Sequence, residues 1–308
     1  MNKHLILPLG THVTLRHPAT TGAGVLIAPA GAVGHVVRAP DDASHSYRVR
    51  LPGGAEVSVR REHLTIRKQE HAAALHKAGG MVDEADMYAH VALRCVVGSR
   101  AYGLQSSASD VDLRGFYLPP ARLHWALYGV PEQLESADSD EVYWEAGKFL
   151  VLALKANPNV LECLYTPLVR DATAIGQELL DNRHRFLSRR VYQTFNGYVI
   201  SQFKRLETDF RMDGAPRWKH AMHLIRLLLS GIGALREGAL PVAVEDEHRA
   251  ALLDVRAGSA PWDEVNQWRL ALHRDFDAAY AATALPEAPD YDWANDFLVR
   301  ARRSAVEG

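Results

Sequence analysis

Cysteine is scarce in this 308-residue chain: there are two, Cys95 and Cys163. Two thiols cannot build a disulfide framework or a four-thiolate zinc site. Each lies in an apolar run, which reads as a small buried side chain in a reducing compartment. Long hydrophobic stretches are missing as well. The greasiest run, Ala221 to Leu235, is interrupted by His223 and Arg226 and is too short to span a bilayer. The opening MNKHLILPLGTHV has no long apolar core of the secretory kind. A cytoplasmic protein outside the membrane is therefore expected. Neither sign of charge dominates, with 35 Lys and Arg against 37 Asp and Glu and a net charge of −2. That balance excludes a histone-like polycation but leaves room for a local basic face. A Gly-x-Ser-x-Gly elbow and a P-loop are both absent from the sequence.

What is present fits a folded protein: 47% hydrophobic and 23% charged residues, at a length that suits two or three domains. Residues 1–67 read as all-β. Strand candidates are His12–Leu15, Val25–Ile27, Ala32–Val37, Tyr47–Leu51, Glu56–Val59 and Leu64–Ile66. Turn signals separate them at Gly22 and Gly24, Pro29–Gly31, Pro40–Asp42 and Pro52–Gly54. The runs from Gly10 to Leu15, Gly31 to Val36, Tyr47 to Leu51 and Val59 to Leu64 resemble SH3-like or KOW-type barrels. The segment carries eight Lys and Arg (Lys3, Arg16, Arg38, Arg48, Arg50, Arg60, Arg61, Arg67) against four acids (Asp41, Asp42, Glu56, Glu62). That surplus suits nucleic-acid phosphates. A solvated surface on a barrel that contacts protein is the plainer reading, and the sequence does not separate the two.

Residues 68–88 read as a connector, with helix formers at Glu70–Lys77, a break at Gly79–Gly80 and a short helix at Asp83–Tyr88. Strand and loop alternate from Val91 to Trp144. Helical periodicity then takes over at Glu145–Ala156, Gln177–Asn182, Arg190–Arg211, Trp218–Arg236, Glu247–Ala257, Trp262–Ala282 and Tyr291–Arg303. The expected fold class is α+β in three parts: an SH3-like β-barrel over 1–67, a mixed-sheet core over 68–170 and an all-helical C-terminal domain over 171–308.

The chemistry concentrates between Val96 and Gly115. A buried strand over Val91–Val97 runs into Gly98-Ser99, then a small-residue stretch, then a second strand beginning at Asp110. Side chains two apart on a strand share a face, so Asp110 and Asp112 point together. Two adjacent carboxylates are costly without a cation. A pair of Mg²⁺ ions, with Mn²⁺ as the substitute, is the usual remedy in phosphoryl and nucleotidyl transfer. Gly98 lets backbone approach a ligand closely, and Ser99 with neighbouring N–H groups can cradle phosphate oxygens. Arg100 can add a fixed positive charge.

The order Gly-Ser, ten residues, Asp-x-Asp resembles the signature of the polymerase-β-like nucleotidyltransferase superfamily. The longer string from Gly98 through Asp112 to Pro119 is similar to its RNA-ligase-associated (RlaP-type) branch. So are Lys148-Phe149, the block Ala156 to Glu162 and the helix from Arg217 to Arg226; the likeness runs from about residue 92 to the C-terminus. The resemblance implies a mixed-sheet nucleotidyltransferase core and transfer of a nucleoside monophosphate from an NTP, such as ATP, to a hydroxyl. It implies an RNA end as acceptor, in RNA repair or modification. It also implies a third metal-binding carboxylate on a neighbouring strand. Asp140 fits, as metal ligand and general base, and Glu145 is the alternative.

In the helical half, Lys219, His223 and Arg226 share one helix face. They can reach a triphosphate or a nucleic-acid phosphate, or they can be core-edge histidine and cations reaching solvent. His220 and His223 at i and i+3 also admit zinc, although no nearby acid or thiol completes the set. Tyr198 and Gln202 share a face that could read a base. Asn157-Pro158-Asn159 reads as helix punctuation, with Glu162 in the first turn of the following helix. Two rival functions stay open: a nucleic-acid-binding regulatory module on an inactive core, and a toxin-like enzyme that modifies tRNA or protein.

Overall fold

The computed structural model describes residues 7–21, 25–40, 46–66, 84–106, 109–136, 140–213 and 216–306. The helix expected at Glu70–Lys77, the Gly79–Gly80 break, the turn residues Gly22, Gly24, Asp41 and Asp42, and the cations Lys3 and Arg67 lie outside them. The chain divides into two compact units. One holds residues 1–82 with 126–129, the other 83–125 with 130–308.

The first unit carries β1 (His12–Leu15), β2 (Ala19–Thr20), β3 (Leu26–Ala28), β4 (Val33–Arg38), β5 (Tyr47–Arg50), β6 (Glu56–Val59) and β7 (Leu64–Ile66). Five of these form an antiparallel sheet in the order β6-β5-β4-β1-β7, and β2 pairs with β3. Alternation drives the assembly. Val13 and Leu15, Val36, Tyr47 and Val49, Val57 and Leu64 turn inward to one small core, while Arg48 and Arg50 turn out. The expected barrel is not closed. Strands β6 and β7 are the sheet's two edges, each paired on one side. Edge strands of four and three residues offer few ladder bonds with which to join a ring.

The second unit begins with the short helix α1 (Glu84–Met87), within the span expected at Asp83–Tyr88. It contains β8 (Val91–Val97), α2 (Gly98–Ala101), β9 (Asp112–Tyr117), α3 (Ala121–His124), β10 (Gln133–Ser136), β11 (Glu141–Glu145) and β12 (Val169–Ala172). Its sheet runs β10-β11-β9-β8-β12 and is mixed: β11 is parallel to β9 and the other neighbours are antiparallel. The remaining helices are α4 (Ala146–Leu154), α5 (Pro158–Tyr165), α6 (Ala174–Asp181), α7 (Arg190–Asp213), α8 (Trp218–Glu237), α9 (Asp246–Ala257), α10 (Trp262–Ala282) and α11 (Tyr291–Ser304). The fold is therefore α+β. Helix starts follow local chemistry. The Asn157 side chain accepts from the N–H groups of Asn159 and Val160, with Pro158 at the first helical position. Glu162 falls in the second turn of α5 rather than the first, and its side chain is buried. One apolar core runs from Leu93 and Phe116 on the sheet through Phe149, Leu161 and Ile225 to Val255 and Phe297. Among the described residues no helix is long and apolar enough to cross a membrane.

Candidate active site

Strand pairing assembles the site. In the antiparallel ladder of β8 and β9, Val97 lies opposite Asp112, so the residue after Val97 meets the Asp112 side chain. That residue is Gly98, with φ of 69°. A Cβ there would overlap Asp112 Oδ2, and the left-handed backbone alone disfavours any L side chain. The glycine is required twice over. The chain then makes a single helical turn, closed by Tyr102 N–H to Gly98 O at 3.1 Å and Leu104 N–H to Ser99 O at 2.9 Å.

The parallel pairing of β11 with β9 aligns Glu141 with Leu113, which sets residue 140 level with residue 112. Asp140 has φ of 47°, an uncommon value outside glycine that Asp tolerates better than most. Its carboxyl hydrogen-bonds with that of Asp112. Arg114, two residues past Asp112 and so on the same face, bridges the pair. Its Nη2 lies 3.7 Å from Asp112 Oδ1 and 3.3 Å from Asp140 Oδ1, and its Nη1 donates to Asp140 O. Burial, then the charge and hydrogen bond of Asp140, raise the Asp112 carboxyl above its ordinary pKa, while Arg114 and Lys219 pull it back.

A cavity of about 410 Å³ opens here, within the range of small-molecule sites. The sheet supplies Val97, Asp112, Arg114, Gln133, Val142 and Trp144; the turn supplies Gly98, Ser99 and Tyr102. Helices supply Asn159 and Glu162 from α5, Lys219, Met222 and His223 from α8, and Arg256 from α9. His223 stacks edge-on against Tyr102 at 5.8 Å. Burial, and then the charges of Arg226, Lys219, His220 and Arg256, push its pKa down to about 3, so the imidazole is neutral. Beneath the cavity, Arg226 pairs with Glu162 at 2.6 Å, both of them buried. Its guanidinium lies 3.6 Å from the Tyr102 ring centroid, and the Tyr102 hydroxyl donates to Glu162 at 2.6 Å.

The structure brings together Gly98, Ser99, Asp112, Lys219 and His223 as lining, with Asp140 joined to Asp112. It does not bring Asp110 or Arg100 to the lining. Strand β9 starts at Asp112, so Asp110 is exposed on the preceding loop and the shared-face argument does not reach it. Arg100 folds over that loop, donating to Ser109 O at 2.9 Å and Asp110 O at 3.3 Å. Glu145 sits five residues beyond Asp140, about 16 Å along an extended strand. It caps α4 through Gly147 and Lys148 N–H and pairs with Arg302 at 3.2 Å. His220 bonds Gln202 at 3.1 Å rather than joining His223. The one group of three potential ligands among the described residues is Glu245, Glu247 and His248, beside a second cavity.

A comparison with family models decides the lineage. The model of the RNA repair pathway DNA polymerase beta family, RlaP, matches residues 57–300. The chain belongs to the RlaP family. No curated protein and no solved structure matches it. Membership of RlaP carries a nucleotidyltransferase role in RNA repair. The match begins within β6, so it takes in part of the N-terminal sheet.

Sequence reasoning missed several lining residues. Arg114 was legible, since a period of two puts it beside Asp112. Glu162 and Tyr102 carried no pairing signal, being 60 residues apart in sequence. Arg256 looks in sequence like an ordinary cation in the last turn of a helix.

Proposed function

We propose that this RlaP protein moves a nucleoside monophosphate from an NTP, ATP first among candidates, to a hydroxyl at an RNA end. The reading rests on one observation: two carboxyls, Asp112 and Asp140, meet against a side-chain-free turn in a cavity whose other wall carries Lys219 and Arg256. The donor set suits Mg²⁺ or Mn²⁺, being hard carboxylate oxygens with both thiols buried in the core. Asp112 and Asp140 would hold the ions, with Asp110 at the rim as the third acid. Bound there, divalent ions supply charge neutralisation of the phosphates and a more acidic acceptor hydroxyl.

The chain's own residues do the rest. Gly98 and Ser99 seat phosphate oxygens, and Lys219 offsets their charge. Asp140, the more exposed carboxylate, takes the proton of the attacking hydroxyl. The acceptor oxygen bonds to the α-phosphorus, the bond to the bridging oxygen breaks, and pyrophosphate leaves with that electron pair. We assign contact with the RNA backbone to the exposed arginines of the N-terminal sheet and to the helical part of the chain. The division at residues 67 and 170 is proposed on the same footing.

The test is divalent-dependent incorporation of labelled nucleotide into RNA. Asp112→Asn is expected to abolish incorporation while the melting temperature holds or rises slightly, since repulsion with Asp140 is relieved. Undiminished incorporation by this variant refutes the mechanism.

A further inference from the structure

Lys219 and Arg256 share the cavity wall, and neither makes an ion pair with a described acidic residue. Arg256 leaves the last turn of α9, which Gly258 ends in the left-handed region. Its Nη1 donates to Leu104 O at 2.5 Å. Leu104 in turn bonds Ser99 O, and Val244 N–H, just before α9, donates to Tyr102 O at 3.1 Å. Both ends of α9 thus clasp the turn that carries Gly98 and Ser99. The remaining N–H groups of the Arg256 guanidinium have no described partner. Cations set side by side on a cavity wall without a counter-charge are unfavourable unless an anion joins them.

We propose that Arg256 and Lys219 form the seat for the terminal phosphates of a bound triphosphate, and that Arg256 makes the cavity select triphosphates over monophosphates. The inference deepens the nucleotidyl-transfer reading and rests on it. A planar guanidinium presents paired donors to phosphate oxygens, which an ammonium does not. The bond to Leu104 orders Arg256 next to Ser99, so a phosphate on the Ser99 turn meets both. When the bridging bond breaks, the negative charge gained by the departing pyrophosphate falls against these two cations. Arg256 is then a binding residue for the leaving group. A purely structural Arg256 would only hold Leu104.

The deciding experiment is equilibrium binding of ATP, AMP and inorganic tripolyphosphate to the full chain. The wild type is compared with Arg256→Gln, Arg256→Lys and Lys219→Gln, and the melting temperature of each is recorded. Arg256→Gln is expected to weaken ATP and tripolyphosphate about tenfold to a hundredfold and to leave AMP within about twofold, the loss expected for charged hydrogen bonds. Arg256→Lys recovers part of the loss. Lys219→Gln, at an exposed position that folding tolerates, repeats the selective weakening. Equal loss for ATP and AMP, or no loss of either ligand, overturns the assignment. A wild-type chain that binds neither ATP nor tripolyphosphate instead overturns the nucleotidyl-transfer reading, so the two failures are distinguishable.

Discussion

Gly98 is the residue with the least latitude in the site. A methyl group there is strained by the backbone and collides with Asp112. Gly98→Ala is expected to cost about 1–3 kcal/mol by chemical denaturation and to remove activity by displacing the Asp112 carboxylate. His223 governs a pH effect of definite sign. The unfolded imidazole takes a proton below about 6.5, whereas burial among cations keeps the folded one neutral to about 3. Below pH 6.5 the unfolded state therefore binds more protons. The His223 contribution is intact above that pH and is lost as pH falls toward 3, by at most about 1.4 kcal/mol per pH unit. Melting curves from pH 7 to 4 should fall more steeply for wild type than for His223→Gln. Gly98, Ser99 and Asp112 are legible because the motif is local and the strand period aims the carboxylate. The same period misplaces Asp110, because it extends two residues ahead of the point where pairing begins.

At the scale of elements, α5 and α8 are riveted by the buried pair Glu162–Arg226 under Tyr102. Arg226→Met would strand a buried carboxylate. We expect a loss of about 3–5 kcal/mol in unfolding free energy, and partial recovery when Glu162→Gln is added, because the orphaned charge disappears. Full additivity of the two substitutions in denaturant titrations would contradict the pairing. Helix starts read well from sequence where a side chain bonds its own backbone, as Asn157 does. Partnerships between helices do not, because Arg226 shows only a spacing along its own helix and Glu162 lies 64 residues away. The parallel register of β11 and β9, which joins Asp140 to Asp112, depends on tertiary pairing that no local pattern encodes. The family resemblance pointed to Asp140 where residue spacing alone left Glu145 open.

Across the whole molecule, the N-terminal sheet has its own core, so it can be removed without opening the other one. Deleting residues 1–66 is expected to leave ATP binding within about twofold and to flatten the salt dependence of RNA binding. The slope should fall by roughly 0.7–0.9 log units for each phosphate that the sheet no longer neutralises. An unchanged slope would give the sheet another task. The α+β class and most strand and helix spans were readable from periodicity. The open sheet was not, because closure depends on edge strands meeting in space. The core under the cavity, by contrast, is undivided from the mixed sheet through α5, α8 and α9 to α11. No apolar seam crosses it along which two jaws could part. The reaction chamber is therefore a fixed dock, and keeping water from the reacting phosphate is left to the molecule that berths there.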